Sequence, residues 1–103
     1  MLLFENQNIE FKQEYVPDIR KEVIGFANAE GGTVYVGIRK DGKVLGVEDP
    51  DGVMLQIVNS LKDALAPDIM PFVRVNSVEI EGKQVVEINV TTGTNRPYYL
   101  REK

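Results

Sequence analysis

The sequence predicts an α+β domain, two amphipathic helices on a mainly antiparallel sheet, in the order β-α-β-β-α-β-β(-β). Three observations carry this. Two segments repeat apolar residues at helical spacing, and the runs between and after them are β-branched and bounded by turn formers. A length of 103 residues with 43% hydrophobic content is enough to close one core and leaves no room for a second domain, so a single domain over 1–103 is expected.

Near the start, Ile9 and Phe11 alternate with Glu10 and Lys12, the period of a short half-buried strand with Glu10 facing out. Pro17 and Asp18 then open a helix with Ile19, Val23, Phe26 and Ala27 on one face, and Gly31-Gly32 stop it. Gly25 stands inside that helix at a cost of about 1 kcal/mol relative to alanine, so close packing against a neighbour is expected there. The run TVYVGIR at 33–39 reads as a central strand covered on both faces. Asp41-Gly42 turns the chain, and 43–47 is expected to return as its antiparallel partner.

Asp49 caps a second helix with Pro50 as its first residue. Met54, Ile57, Val58, Leu61 and Leu65 line one face, and the helix ends before Pro67. The last third alternates instead: Val73 and Val75, then Val78 and Ile80, then Val86, Ile88 and Val90 across a Glu81-Gly82 turn. The phase slips between Val75 and Val78, which predicts a β-bulge at Asn76-Ser77 that would bring both halves to one face. A turn at Thr92-Gly93 leads into Pro97-Tyr98-Tyr99-Leu100.

The chain has no cysteine and no histidine. Disulfides, thiolate metal sites and imidazole bases are thereby excluded, and Ser60 and Ser77 have no partner to activate them. Any catalysis would use carboxylates, lysine or an oxygen-held metal. The apolar start Met1-Leu2-Leu3-Phe4 stops at Glu5, too short for a signal peptide or a span, so a soluble cytoplasmic protein with no membrane partner is expected. The formal net charge of −4 means that any surface for a polyanion must be a local patch.

Three constellations bear on chemistry. Gly31-Gly32 follows a helix and precedes a strand, the reverse of a nucleotide loop, and is read as a helix stop. Glu5, Glu10 and Asp41 offer hard oxygen ligands for magnesium or manganese. An offset of five places Glu5 and Glu10 on opposite faces of a continuous strand, so the polar run Asn6-Gln7-Asn8 would have to bend to bring them together. The plainer reading leaves all three solvated, with Asp41 a turn former. Arg39, Lys40 and Lys43 bracket the Asp41-Gly42 bend, while Arg96 and Arg101 bracket Tyr98 and Tyr99; cations neutralise phosphates and tyrosines stack on unpaired bases. Solvated hairpin lysines and core tyrosines are the competing reading.

Four segments in this order, ENQNIEFK at 5–12, VIGFANAEGGTVYVGI at 23–38, KDGKVLGVED at 40–49 and RPYYL at 96–100, resemble the Schlafen-type AlbA-like domain. The resemblance implies a nucleic-acid-binding module, for DNA or RNA, at the front of a larger transcriptional regulator or helicase-related ATPase, with no cofactor required for binding. In vertebrate relatives two such lobes grip structured RNA, and a carboxylate trio cleaves it with a divalent metal. That trio carries over onto Glu5, Glu10 and Asp41, with Glu48 competing for the third place. The family commonly continues past the Pro-Tyr-Tyr segment with another strand, whereas this sequence stops at Lys103, so a C-terminal truncation or a shortened domain is expected.

The leading expectation is that Lys12, Arg39, Lys40, Lys43, Arg96 and Arg101 gather into one electropositive strip beside the Asp41-Gly42 bend, with Tyr98 and Tyr99 stacking on bases. The alternatives are a magnesium- or manganese-dependent ribonuclease and a protein-interaction or homodimerisation module.

Overall fold

The computed structural model describes residues 3–101. Its strands and helices are β1 (Ile9–Lys12), α1 (Ile19–Asn28), β2 (Gly32–Val36), α2 (Pro50–Ala64), β3 (Leu65–Ala66), β4 (Val73–Ile80), β5 (Lys83–Val90) and β6 (Tyr99–Leu100). Four strands form a sheet in the order β1-β2-β5-β4, and β3 pairs with β6 in a separate two-stranded ribbon. The β1-β2 pair is parallel and all the others are antiparallel. A parallel neighbour needs a crossover, which α1 supplies.

Both helices end as their residues dictate. The Asp49 carboxylate accepts the Gly52 N–H at 3.0 Å, with Pro50 in the first turn where its missing N–H costs nothing. At the end of α1, the Gly31 N–H reaches back to the Phe26 carbonyl at 2.8 Å with φ of +84°. A side chain at Gly31 would stand 2.6 Å from the Val90 carbonyl, so glycine is required there by space as well as by conformation. Gly25 is different. A Cβ at Gly25 would meet nothing within 4 Å, so the expected close packing is absent and the glycine only weakens the helix.

The sheet has an apolar layer on each face. Val34 and Val36 of β2 and Val86, Ile88 and Val90 of β5 face the helices, packing with Ile19, Val23, Ile57 and Leu61. On the opposite face a smaller cluster joins Phe11, Ile38, Val44 and Val85, flanked by half-buried Leu3, Ile9, Tyr35, Val78 and Ile80. This second layer explains the slipped phase of β4. Val73 and Val75 point to the helix face, Val78 and Ile80 to the other, and the β4-β5 register runs without interruption from Val73 opposite Val90 to Ile80 opposite Lys83. The predicted bulge at Asn76-Ser77 is therefore absent: a regular strand that serves two cores at its two ends gives the same pattern.

The predicted return strand at 43–47 also needs correction. The bend itself forms, with the Arg39 N–H on the Lys43 carbonyl at 2.9 Å and the Gly42 N–H on the Arg39 carbonyl at 2.8 Å. A single bridge between Ile38 and Val44 follows it, with the Leu45 and Gly46 N–H groups both on the Gly37 carbonyl at 2.8 and 2.9 Å, and the pairing does not continue as a strand. Both edges of β2 are already taken, by β1 and β5, so 43–47 has no edge to pair with. The segment leaves β2 at Gly46, with φ of +76°, and the Val47 N–H finds the Gln84 carbonyl at 2.8 Å instead.

Candidate functional site

The bend at Asn6-Gln7-Asn8 brings the first two predicted carboxylates together. Asn6 and Ile9 exchange backbone hydrogen bonds of 3.1 and 3.2 Å, folding the chain back so that Glu5 Oε2 accepts the Phe11 N–H at 2.8 Å. Glu10 arrives from β1 itself. Between the two carboxylates lies the Lys40 ammonium, 2.9 Å from Glu5 Oε2 and hydrogen-bonded to Glu10 Oε1. Lys12 lies 3.9 Å from Glu10 and 3.5 Å from Glu22 of α1. The result is an alternating chain of charge, Glu5, Lys40, Glu10, Lys12, Glu22.

Burial alone would raise the Glu5 carboxyl, but the Phe11 N–H and the Lys40 ammonium outweigh it and hold Glu5 below the usual carboxylate range. Burial likewise disfavours the Lys40 ammonium, and Glu10 and Glu5 outweigh it, raising Lys40 above the ordinary lysine value. With the Lys40 side chain 59% exposed, each of these pairs contributes at most what surface pairs do, about 0–1 kcal/mol.

Asp41 does not join them. Its carboxylate accepts the Lys43 N–H at 3.1 Å and pairs with Arg39, and those two contacts hold its pKa low. It is the turn former of the plainer reading. The divalent metal implied by the resemblance therefore does not fit these residues: the point shared by Glu5 and Glu10 is held by an ammonium, the third carboxylate faces elsewhere, and no group of three metal-ligating side chains converges among the described residues.

The expected basic strip is also redistributed. Arg39, Lys40 and Lys43 follow the C-terminal end of β2. The 96–101 segment lies at the other end, tied there by the Gly93 N–H on the Ala27 carbonyl and the Arg101 N–H on the Ala64 carbonyl. A five-residue strand spans roughly 17 Å, so the two halves are separate surfaces. On the hairpin side, Lys12, Lys40 and Arg39 are each paired with acids, which leaves Lys43 exposed and without an ion pair among the described residues.

At the other end the two tyrosines divide. Tyr98 is 2% exposed and belongs to the main core, so it is no stacking residue. Its backbone N–H donates to Asn28 Oδ1 at 2.7 Å and its carbonyl accepts from Asn28 Nδ2 at 3.0 Å, an amide clamp from the last residue of α1. Asn28 was not singled out by sequence reasoning, although its place in the Phe-Ala-Asn run before Gly31-Gly32 was visible. Tyr99, by contrast, is 55% exposed. Leu100 beside it is half-buried, and Arg101 follows β6 with its backbone N–H on the Ala64 carbonyl at 2.7 Å. Arg96 and Arg101 are exposed and have no ion pair among the described residues.

Sequence reasoning also missed a polar ladder on the helix-free face. The Thr33 hydroxyl donates to Asn89 Oδ1 at 3.0 Å, Asn89 Nδ2 donates to Glu87 Oε1 at 2.7 Å, and Glu87 stands opposite Tyr35. Burial first and the Glu87 charge second raise the Tyr35 phenol. The alternation of Glu87 and Asn89 with Val86, Ile88 and Val90 was the available signal.

This arrangement, a mixed sheet with both helices on one face and a clamped C-terminal ribbon, is that of a known class of domain. The model of the family described as Schlafen, AlbA_2 matches residues 5–103, and the chain belongs to that family. No curated protein matches the chain. Among solved structures it is similar to the N-terminal domain of a RecG-related protein from Nitrosomonas europaea, named for its relation to an ATP-dependent DNA helicase. There the TM-score is 0.77 at 22% identity over 98% of this chain and 74% of that one. It is also similar to the DIP2311 protein from Corynebacterium diphtheriae, with a TM-score of 0.65 at 23% identity over 94% of this chain and 20% of that one. At these identities the likenesses show the fold. No helix among the described residues is long and apolar enough to cross a membrane.

Proposed function

We propose that the domain is a nucleic-acid-binding module of a helicase-related or regulatory protein and that it contacts single-stranded DNA or RNA through the β6 end. The observation that carries this reading is the exposed Tyr99 ring with exposed Arg96 before it and exposed Arg101 directly after β6, on a body whose net charge is −4. An aromatic face accepts an unpaired base of any identity, and guanidinium groups near it in the chain, without an ion pair among the described residues, take the flanking phosphates. Lys43, at the far end of the sheet, is a separate and weaker contact. The family membership and the helicase-related neighbour support the same reading.

The test is a fluorescence-anisotropy titration of a labelled single strand with the parent protein and with Tyr99→Ala. Loss of one stacked base is worth about 1–3 kcal/mol, so affinity is expected to fall roughly 5- to 150-fold. Equal affinity of the two proteins would remove β6 from the interface.

A further inference from the structure

We propose that Lys40 is the resident cation of the Glu5–Glu10 pair and stands where the family resemblance places a divalent metal. The oxygens concerned are the ones a metal would use. Glu5 Oε2 and Glu10 Oε1 face one point, and the Lys40 ammonium occupies it, donating to both. Magnesium and manganese bind carboxylate oxygens only at short range and only where that point is open.

Charge leads to the same conclusion. Two carboxylates facing one point need positive charge between them; Lys40 supplies one unit and Lys12, 3.9 Å from Glu10, supplies part of another. A divalent ion entering would displace one ammonium and stand close to a second. The hairpin geometry decides which residue reaches the pair. Asp41 is turned back on its own bend by the Lys43 N–H and Arg39, so position 40, rather than 41, is the one that the bend delivers to the two glutamates. The pair is thereby a structural tie between the N-terminal segment, β1 and the hairpin, closed to metal by a side chain of the protein itself.

The inference is independent of nucleic-acid binding, and its test contains none. Manganese is titrated into the protein, its Lys40→Met variant and its Lys40→Glu variant, and paramagnetic broadening of the Phe11 and Lys12 amides of β1 is followed by NMR. The parent protein is expected to show no selective broadening at millimolar manganese, while both variants broaden at concentrations at least tenfold lower. Adding Glu10→Gln to the Lys40→Met variant is expected to abolish the effect. Broadening of the parent at the same manganese concentration as the variants would overturn the proposal, as would the absence of broadening in both variants or its survival in the double variant. Because the Lys40 side chain is largely exposed, the variants are expected to fold, and their amide spectra report this directly.

Discussion

Replacing Phe11 with alanine is expected to destabilise the domain by about 3–5 kcal/mol, measured as a shift of the urea midpoint at unchanged slope. Phe11 is 1% exposed and forms the centre of the smaller core on the helix-free face, with Ile38, Val44 and Val85 around it. Its ring lies 6.2 Å from that of Tyr35, tilted by 57°. Among the described residues no helix covers this face, so the layer depends on the hairpin and the N-terminal segment, and a cavity at its centre has little above it that can collapse inward. Since small domains are stable by about 5–15 kcal/mol in total, the loss is a large fraction of the whole. The same residue supplies the N–H that holds Glu5, so the charge chain should loosen together with the core. A loss below about 1 kcal/mol would mean that the second layer contributes little to the fold.

The second large effect is expected at Tyr98. Tyr98→Ala should destabilise the domain by about 3–5 kcal/mol, because it empties a buried site at the junction of α1, the Gly93 turn and β6. The ring packs edge-on against Phe72 with centroids 6.1 Å apart, and its hydroxyl oxygen accepts the Asn95 N–H at 3.1 Å. Tyr98→Phe keeps the ring and loses only that acceptor, for about 0.5–1.5 kcal/mol. The comparison separates packing from ligand stacking. A core residue gives a large alanine effect on stability, whereas an exposed stacking residue would leave stability nearly unchanged in the alanine variant and lower nucleic-acid affinity instead.

The fold class was legible because the strongest signals were local. The helical spacing of Ile19, Val23 and Ala27 and of Ile57 and Leu61, with the Asp49-Pro50 start, produced the two helices as expected. Signals that depend on neighbours were not legible. Nothing in 43–47 says that both edges of β2 are occupied, so an apolar run after a tight bend reads as a partner strand. Nothing in β4 says that its two ends serve two cores, so a regular strand reads as a bulged one.

Site residues divide along the same line. Glu5 and Glu10 do converge, because the polar run between them bends as their chemistry would require. That Lys40, not Asp41, is delivered to them depends on the side-chain directions of one turn, which spacing does not encode. Tyr98 and Tyr99 are chemically identical in the sequence, and their opposite fates follow from strand alternation and from the Asn28 clamp, a contact across 70 residues.

The salt dependence of single-strand binding tests the central claim most directly. With Arg96 and Arg101 each taking one phosphate beside a base stacked on Tyr99, log K against log salt should fall with a slope of about −1.4, and the slope should flatten to roughly half in Arg101→Ala. A slope of zero, or one that Arg101→Ala leaves unchanged, would contradict the account.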